Sequence, residues 1–530
     1  MRAFISNKLS RPLAFGLSLL ALSGFWQAAA MHLNSPLILP LPSEVFRQLL
    51  LGLGSPVFLR HFGISCLRSL LAIGLTLAAG SVSGLGAGLS AAFRAFAAVP
   101  LAIIRAVPVA AIILLAVFWL GSDALPVFVA LLMGLPVMTD AVAAGITKIP
   151  ARLVDAAKVY RFSRRKLLFH VYIPAALPNF LSGLRSVFGL SWKVVVAGEV
   201  LVLPRYGAGS LLYTAKVHLE TAQVFAIVIL MVIICLALET LFFLLPRCFR
   251  KQRNNLAAVP ADSAGIANSK PPIAPSSVRV ENLGVTRGSQ ELFRGFSTEF
   301  QQGKLTAVIA ASGRGKTTLL DCIAGILSPG KGRVVLRNPG QPDRTGFPVS
   351  YLFQEPQLLP WRSILRNAAL PLEGAIPRQN ARVAAGRLLA KTGLGLRLGA
   401  YPDQLSGGEQ RRAALARAFA FPAPALLMDE AFQSQDLPLK LSLMTLTKTL
   451  LREDPRTVIL VTHDVREALC IADRILALTG RPLGIARDIA VPAVSEEDTK
   501  AAITERYIHL PPDLAVIEED IFSALSKDTV

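Results

Sequence analysis

The chain has 530 residues, 55 Lys and Arg against 35 Asp and Glu, 53% hydrophobic residues and a mean hydropathy of +0.51. That apolarity, concentrated before residue 252, excludes a wholly soluble protein and predicts a membrane part followed by a soluble one. The net charge of +20 does not indicate nucleic acid: residues 1–251 hold 22 Lys and Arg against 7 Asp and Glu, so most of it flanks hydrophobic segments, as membrane topology requires. The five cysteines, Cys66, Cys235, Cys248, Cys322 and Cys470, have no metal-ligand spacing and read as reduced structural thiols.

Residues 1–11 carry Arg2, Lys8 and Arg11 and lead into an apolar run from Pro12 to Ala30. About 20 residues cross a bilayer, so this run is expected to be a retained first helix, with a cleaved signal peptide as the alternative. Further spans are expected near 66–90, 98–119, 124–146, 176–200 and 222–246, six in all. The basic residues gather at the N-terminus, Arg94, Lys148 to Lys166 and Arg247 to Arg253. That alternation predicts both termini in the cytosol of a cell whose cytoplasmic membrane the chain spans. Arg105, Asp140, Lys193 and Glu199 fall in or near spans. Ionisable residues there face a cavity or a partner, so Lys193 or Arg105 is either a contact for an anionic solute or a snorkelling or inter-helix pairing residue.

Between the fourth and fifth spans the chain reads Asp155-Ala156-Ala157-Lys158-Val159-Tyr160-Arg161, and the segment closes on Val171-Tyr172-Ile173-Pro174. This resembles the cytosolic loop of binding-protein-dependent importers, whose pattern opens Glu-Ala-Ala, has Gly where Arg161 stands, and forms a short coupling helix against the ATPase. Ser182-Gly183-Leu184-Arg185 and Gly189 to Glu199 are most similar to the nitrate/sulfonate/taurine branch of these permeases.

From Gln252 to Ser277 the composition turns to Asn, Ala, Ser and Pro, a linker. A β-branched run from Leu305 to Ile309 then precedes Ala310-Ala311-Ser312-Gly313-Arg314-Gly315-Lys316-Thr317-Thr318, which opens a helical pattern. Strand, glycine-rich turn and helix are the setting of a P-loop. Backbone N–H groups of Ser312 to Thr318 would cradle phosphates, Lys316 would reach the β- and γ-phosphates of ATP, and Thr317 would ligate Mg²⁺. Ala310 stands where the pattern has Gly, which matters only if that position needs a left-handed backbone.

At ordered spacing follow Gln354 in Tyr351-Leu352-Phe353-Gln354-Glu355, then Leu405-Ser406-Gly407-Gly408-Glu409-Gln410 opening a helix, the apolar strand Ala425 to Met428 ending in Asp429-Glu430, and Val461-Thr462-His463-Asp464. Residues 278–490 thereby resemble the ATP-binding cassette ATPase, the 405–410 signature being the most specific motif. The resemblance implies Mg²⁺ held by Thr317, Gln354 and Asp429, Glu430 as general base, and Gln354 and His463 at the γ-phosphate. It also implies that Ser406, Gly407, Gly408 and Gln410 bind the nucleotide of a second subunit, hence a homodimer. Arg287 stands where the family stacks an aromatic on adenine, and a guanidinium also stacks. Residues 491–530 match no motif.

The sequence thus predicts an all-α polytopic membrane domain of about six transmembrane helices over 1–251, with a coupling loop near 151–174. A linker over 252–277 joins it to an α/β P-loop NTPase of the ATP-binding cassette type over 278–490, followed by a C-terminal extension over 491–530. The implied function is ATP-driven uptake of a small, anionic solute of the nitrate/sulfonate/taurine type, delivered by an extracytoplasmic solute-binding protein. An ATP-driven exporter and a regulatory or mechanical ATPase that moves no solute are the competing expectations. Lipid is an expected partner and nucleic acid is not.

Overall fold

The structure is a computed structural model that describes residues 2–251, 274–311, 313–338, 340–433, 436–493 and 499–526. Most of the linker expected over 252–277, and Ser312 of the phosphate loop, therefore lie outside the described residues. The chain divides into two compact units: residues 1–149 with 172–253, and residues 150–171 with 254–530.

The first unit is helical. In chain order its helices are α1 (Arg2–Leu33), α2 (Pro42–Leu53), α3 (Pro56–Leu89), α4 (Ala91–Ala106), α5 (Val109–Ala116), α6 (Leu125–Thr147), α9 (Ile173–Val202), α10 (Ala208–Val217) and α11 (Thr221–Lys251). Helices α3 and α6 and the run Arg164–Val202 are each long and apolar enough to cross a membrane. Helix α3 begins ten residues before the expected 66. The span expected over 98–119 is instead two helices, α4 and α5, bent by 96°. The cause is local: Pro108 has no N–H to continue α4, and Val107 before it is driven to extended backbone, φ −79° and ψ 128°.

Helices α3, α6 and α9 form the centre of this unit and meet where glycines remove side chains. A Cβ on Gly84 would lie 2.7 Å from the Thr139 carbonyl oxygen, and one on Gly183 would lie 2.5 Å from the Ala141 Cβ. Lipid supplies no hydrophobic drive between helices, so such close backbone approach is what holds them.

A buried polar cluster gathers around Glu199, which is fully buried. Its carboxylate accepts from both the Ser65 hydroxyl (2.8 and 2.7 Å) and Arg68 Nη1 (2.7 Å), and from the Gly209 N–H at 3.0 Å. Arg68 also donates to the Tyr206 carbonyl (2.7 Å) and to Asp123 (2.5 Å). Glu199 therefore pairs across helices with Arg68. Arg105 pairs with Asp140 at 2.5 Å, both side chains half exposed, and Lys193 is exposed.

The second unit contains α7 (Ala151–Val159), α8 (Arg164–Leu167), α12 (Lys316–Ile323), α13 (Ile364–Ala369), α14 (Arg378–Lys391), α15 (Gly407–Ala420), α16 (Leu437–Glu453), α17 (Val465–Ile471), α18 (Thr499–Ile508) and α19 (Pro512–Ser526). Its strands are β1 (Ser277–Arg287), β2 (Gln290–Phe300), β3 (Leu305–Ile309), β4 (Lys331–Arg337), β5 (Val349–Leu352), β6 (Ala425–Asp429), β7 (Thr457–Thr462), β8 (Arg474–Thr479) and β9 (Gly484–Ala490). An antiparallel sheet runs β2-β1-β4, and a second sheet runs β5-β6-β7-β3-β8-β9, parallel except for β9. Strands β3, β5, β6 and β7 are buried on both faces, which is why they read as continuous apolar runs rather than alternating ones.

Register decides where the site falls. Ile309 pairs with Thr462 and Asp429 with Val461, so the carboxyl ends of β3, β6 and β7 lie level. In doubly wound sheets ligands bind beyond those ends.

Candidate functional site

The chain leaves β3 through the phosphate loop, where Gly313 (φ +74°) and Gly315 (φ +107°) take left-handed backbone that a side chain would resist. Ala310 does not take a positive φ, and its methyl is buried with the sheet core, so the departure from Gly at that position has no conformational penalty. Helix α12 then starts at Lys316, whose buried ammonium donates to the Ala310 and Ala311 carbonyls at 2.7 and 3.0 Å. Burial lowers its pKa, against the nearby Glu430 and Asp429 carboxylates.

Thr317 Oγ donates to Asp429 Oδ1 at 3.2 Å. Asp429, at the end of β6, is 4% exposed, and burial together with the Glu430 and Asp321 charges pushes its carboxyl up to about 6, against the Thr317 hydrogen bond and Arg152. A buried carboxylate beside a hydroxyl, with the Gln354 amide lining the same cavity, is a set of hard oxygen donors of the kind Mg²⁺ takes.

Glu430 follows with φ +46°, its N–H donating to the Val461 carbonyl at 2.9 Å. That backbone turn aims its carboxylate between two other groups: Gln354 Nε2 donates to Oε2 at 2.8 Å, and His463 Nδ1 lies 3.5 Å from Oε1. Gln354, Glu430 and His463, 33 to 109 residues apart in sequence, therefore meet at one point. A cavity of about 600 Å³ lies beside them, lined by Arg287, Thr317, Thr318, Gln354 and Asp429 among others, so Arg287 does face the same space as the phosphate loop.

The signature residues are not in that cavity. Ser406 caps α15 by accepting from the Glu409 N–H at 3.3 Å, while Glu409 Oε2 accepts from the Ser406 N–H at 2.9 Å. Gln410 donates to the Pro402 and Leu405 carbonyls at 2.8 and 3.3 Å, so its amide fixes the loop before the helix.

Residues to which the motifs gave no role also surround the site. Arg152 on α7 donates through Nη1 to both oxygens of Asp321 on α12, at 2.8 and 2.9 Å, and lines the cavity. The Tyr351 hydroxyl donates to Asp321 from the other side at 3.3 Å, and its ring stacks on Phe353 at 4.0 Å. Just past the end of α7, the Tyr160 hydroxyl donates to the Tyr351 carbonyl at 3.0 Å. Helix α7 thus holds both the strand leading to Gln354 and the helix leaving the phosphate loop. Arg161, where Gly was expected, takes the left-handed turn anyway (φ +56°) and its guanidinium donates to the Gly346 carbonyl.

The protein-family profile described as ABC transporter matches residues 293–433, and that of the binding-protein-dependent transport system inner membrane component matches residues 80–251. The aliphatic sulfonates import ATP-binding protein SsuB 1 of Paraburkholderia xenovorans is 34% identical over 256 residues, which cover 47% of this chain and 72% of that one. The chain belongs to the ABC transporters. A second ABC relative, the SsuB 1 protein of Rhodococcus jostii, is 40% identical over 193 residues, 36% of this chain and 74% of its own. A solved structure described as the dimeric post-hydrolysis state of the ATP-binding cassette MJ0796 with ADP and Pi covers 41% of this chain and 99% of its own, at 27% identity and a TM-score of 0.37. This ABC transporter fuses a helical, membrane-embedded permease to an α/β ATPase that binds ATP and couples its hydrolysis to transport.

Proposed function

We propose that this chain is one half of an ATP-driven importer that carries a small anionic solute of the nitrate, sulfonate or taurine type across the cytoplasmic membrane. Helix α7 carries the reading: the Asp155–Ala156–Ala157 loop that resembles an importer's coupling helix engages β5 and α12 through Tyr160 and Arg152. The two relatives named for aliphatic sulfonate import support the solute class. The proposed boundaries are a permease over 1–251, a linker over 252–277, an ATPase over 278–490 and an extension over 491–530.

In this reading Lys316 exchanges the Ala310 and Ala311 carbonyls for the β- and γ-phosphates, and Arg287 stacks on adenine. Thr317, Asp429 and Gln354 hold Mg²⁺, which when bound neutralises charge developing on the phosphates. Glu430 takes the proton of the attacking water, and His463 and Gln354 orient that carboxylate and the γ-phosphate. Asp429 is better suited to a cation than to a proton once the site is filled, because a divalent charge reverses the penalty that raises its carboxyl.

Ser406, Gly407 and Gly408 point to a homodimer in which each signature closes over the nucleotide of the other chain, since in one chain they lie apart from the cavity. An extracytoplasmic binding protein supplies the solute, and the basic loops favour a cytosolic ATPase. The test is ATP hydrolysis and solute uptake by the reconstituted protein beside Glu430→Gln, with candidate binding proteins and sulfonates added. Hydrolysis stimulated by one liganded binding protein and lost in Glu430→Gln is the expected result. Hydrolysis that no binding protein stimulates, without inward uptake, would remove the importer reading.

A further inference from the structure

The extension beyond residue 490 is built into the ATPase. Ile503, Leu514 and Ile521 are buried in the same apolar core as Val458 and Leu460 of β7. Arg506 of α18 donates to the Leu469 carbonyl at the end of α17 (3.4 Å) and to those of Pro492 and Ala493 (3.0 and 2.7 Å). From α19, Glu518 accepts from Arg466 at 3.0 Å.

One contact from this extension reaches the residue next to His463. The two oxygens of Asp464 have different partners. Oδ1 caps α17, accepting from the Arg466 and Glu467 N–H groups at 3.0 and 3.3 Å. Oδ2 accepts from the Tyr507 hydroxyl of α18 at 3.2 Å and from Lys440 Nζ of α16 at 3.1 Å. Lys440 also reaches the Tyr507 hydroxyl at 3.4 Å and Glu467 at 2.7 Å. On the other side of His463, Thr462 Oγ accepts from the Asp464 N–H at 3.1 Å and donates to Glu467 at 2.7 Å. The His463 side chain is itself 44% exposed, with Nδ1 3.5 Å from Glu430, so the backbone on either side aims the ring.

We propose that Tyr507 is a positioning residue for His463, acting through Asp464, so that the C-terminal extension sets how well the histidine meets Glu430 and the γ-phosphate. The inference rests on the proposed role of His463. It requires a hydroxyl at 507, because a ring alone packs against α16 without holding Oδ2. Lys440 occupies the same oxygen but sits at the start of α16, just after Asp436, so Tyr507 ties the histidine loop to α16 and to the extension at once.

The experiment uses the full chain in proteoliposomes and compares wild type, Tyr507→Phe, His463→Ala and the double variant. Loss of one hydrogen bond to a carboxylate should lower kcat in Tyr507→Phe by about three- to tenfold, with KM for ATP and binding of a fluorescent ATP analogue unchanged. In the His463→Ala background the same substitution should have no further effect on the residual rate. Amide exchange over residues 462–467 should quicken in Tyr507→Phe. An unchanged kcat, an equal loss in the His463→Ala background, or a parallel loss of nucleotide binding would each overturn the proposal. Full activity in His463→Ala would refute the assignment of the histidine itself, and the inference with it.

Discussion

Asp321 offers the sharpest test of how α7 is held, because its two partners differ in what they lose. Removing the Arg152 guanidinium deletes two hydrogen bonds from a pair in which Arg152 is 42% and Asp321 14% exposed. A partly solvated pair of that kind is worth about 1 kcal/mol, and the freed carboxylate still has water and Tyr351. Asp321→Ala deletes the same pair and also orphans the Tyr351 hydroxyl, whose residue is fully buried. Burial, with the Asp429 and Asp321 charges, holds that phenol far above its usual pKa, so it remains a donor. An orphaned buried donor costs about 1–3 kcal/mol on top of the lost pair. Thermal unfolding of the purified protein should therefore rank Asp321→Ala well below Arg152→Ala, and Tyr351→Phe should recover part of the difference in the Asp321→Ala background. Equal losses in the two single variants, or no relief from Tyr351→Phe, would refute the assignment of Asp321 as the shared acceptor.

Other expectations follow from single contacts. Gly332 has φ +79°, and a Cβ there would lie 2.3 Å from the Glu281 and Asn282 carbonyl oxygens, so Gly332→Ala should destabilise the β1–β4 pair by about 2–4 kcal/mol, read as a lower melting point. Ser406→Ala should lose the cap of α15 at about 1 kcal/mol. Mixing Ser406→Arg chains with Lys316→Ala chains should restore hydrolysis above either variant alone if signature and phosphate loop act between chains. Arg68→Met leaves Glu199 buried with only the Ser65 and Gly209 donors, and should cost about 3–5 kcal/mol where Arg105→Met, in a half-exposed pair, costs under about 1 kcal/mol; detergent-resistance half-lives compare the two.

The elements that carry the phosphate loop, Asp429-Glu430 and His463 were legible because each is a local pattern, a strand that is apolar throughout followed by a turn, and α15 was legible because a capping Ser406 opens it. The same reading failed where two distant segments meet. Arg152 and Asp321 are 169 residues apart and Arg68 and Glu199 are 131 apart, and helical periodicity relates a residue only to neighbours on its own helix. Arg68 lies at the very edge of the span expected over 66–90, where a basic residue reads as interfacial, whereas α3 starts at Pro56 and places Arg68 well inside it. The span expected over 98–119 rests on apolar composition, which does not register the break that the Val107-Pro108 dipeptide imposes. At Arg161, where the importer pattern has Gly, the backbone makes the left-handed turn regardless of residue type.

The bend between α4 and α5 also bears on depth in the bilayer. The last four carbonyls of a helix have no partner within it, and hydrocarbon offers none, so a chain that turns by 96° is stable only where water, headgroups or protein meet those carbonyls. Arg105 sits beside the bend, paired with Asp140 while both stay half exposed, and lipid tails would penalise such a pair as heavily as the bare carbonyls. The two observations assign the 104–108 corner to a wet or protein-covered level. The apolar segment 98–119 is therefore a broken span or a re-entrant loop, and its corner sits where the freed carbonyls and the Arg105–Asp140 pair can be met together.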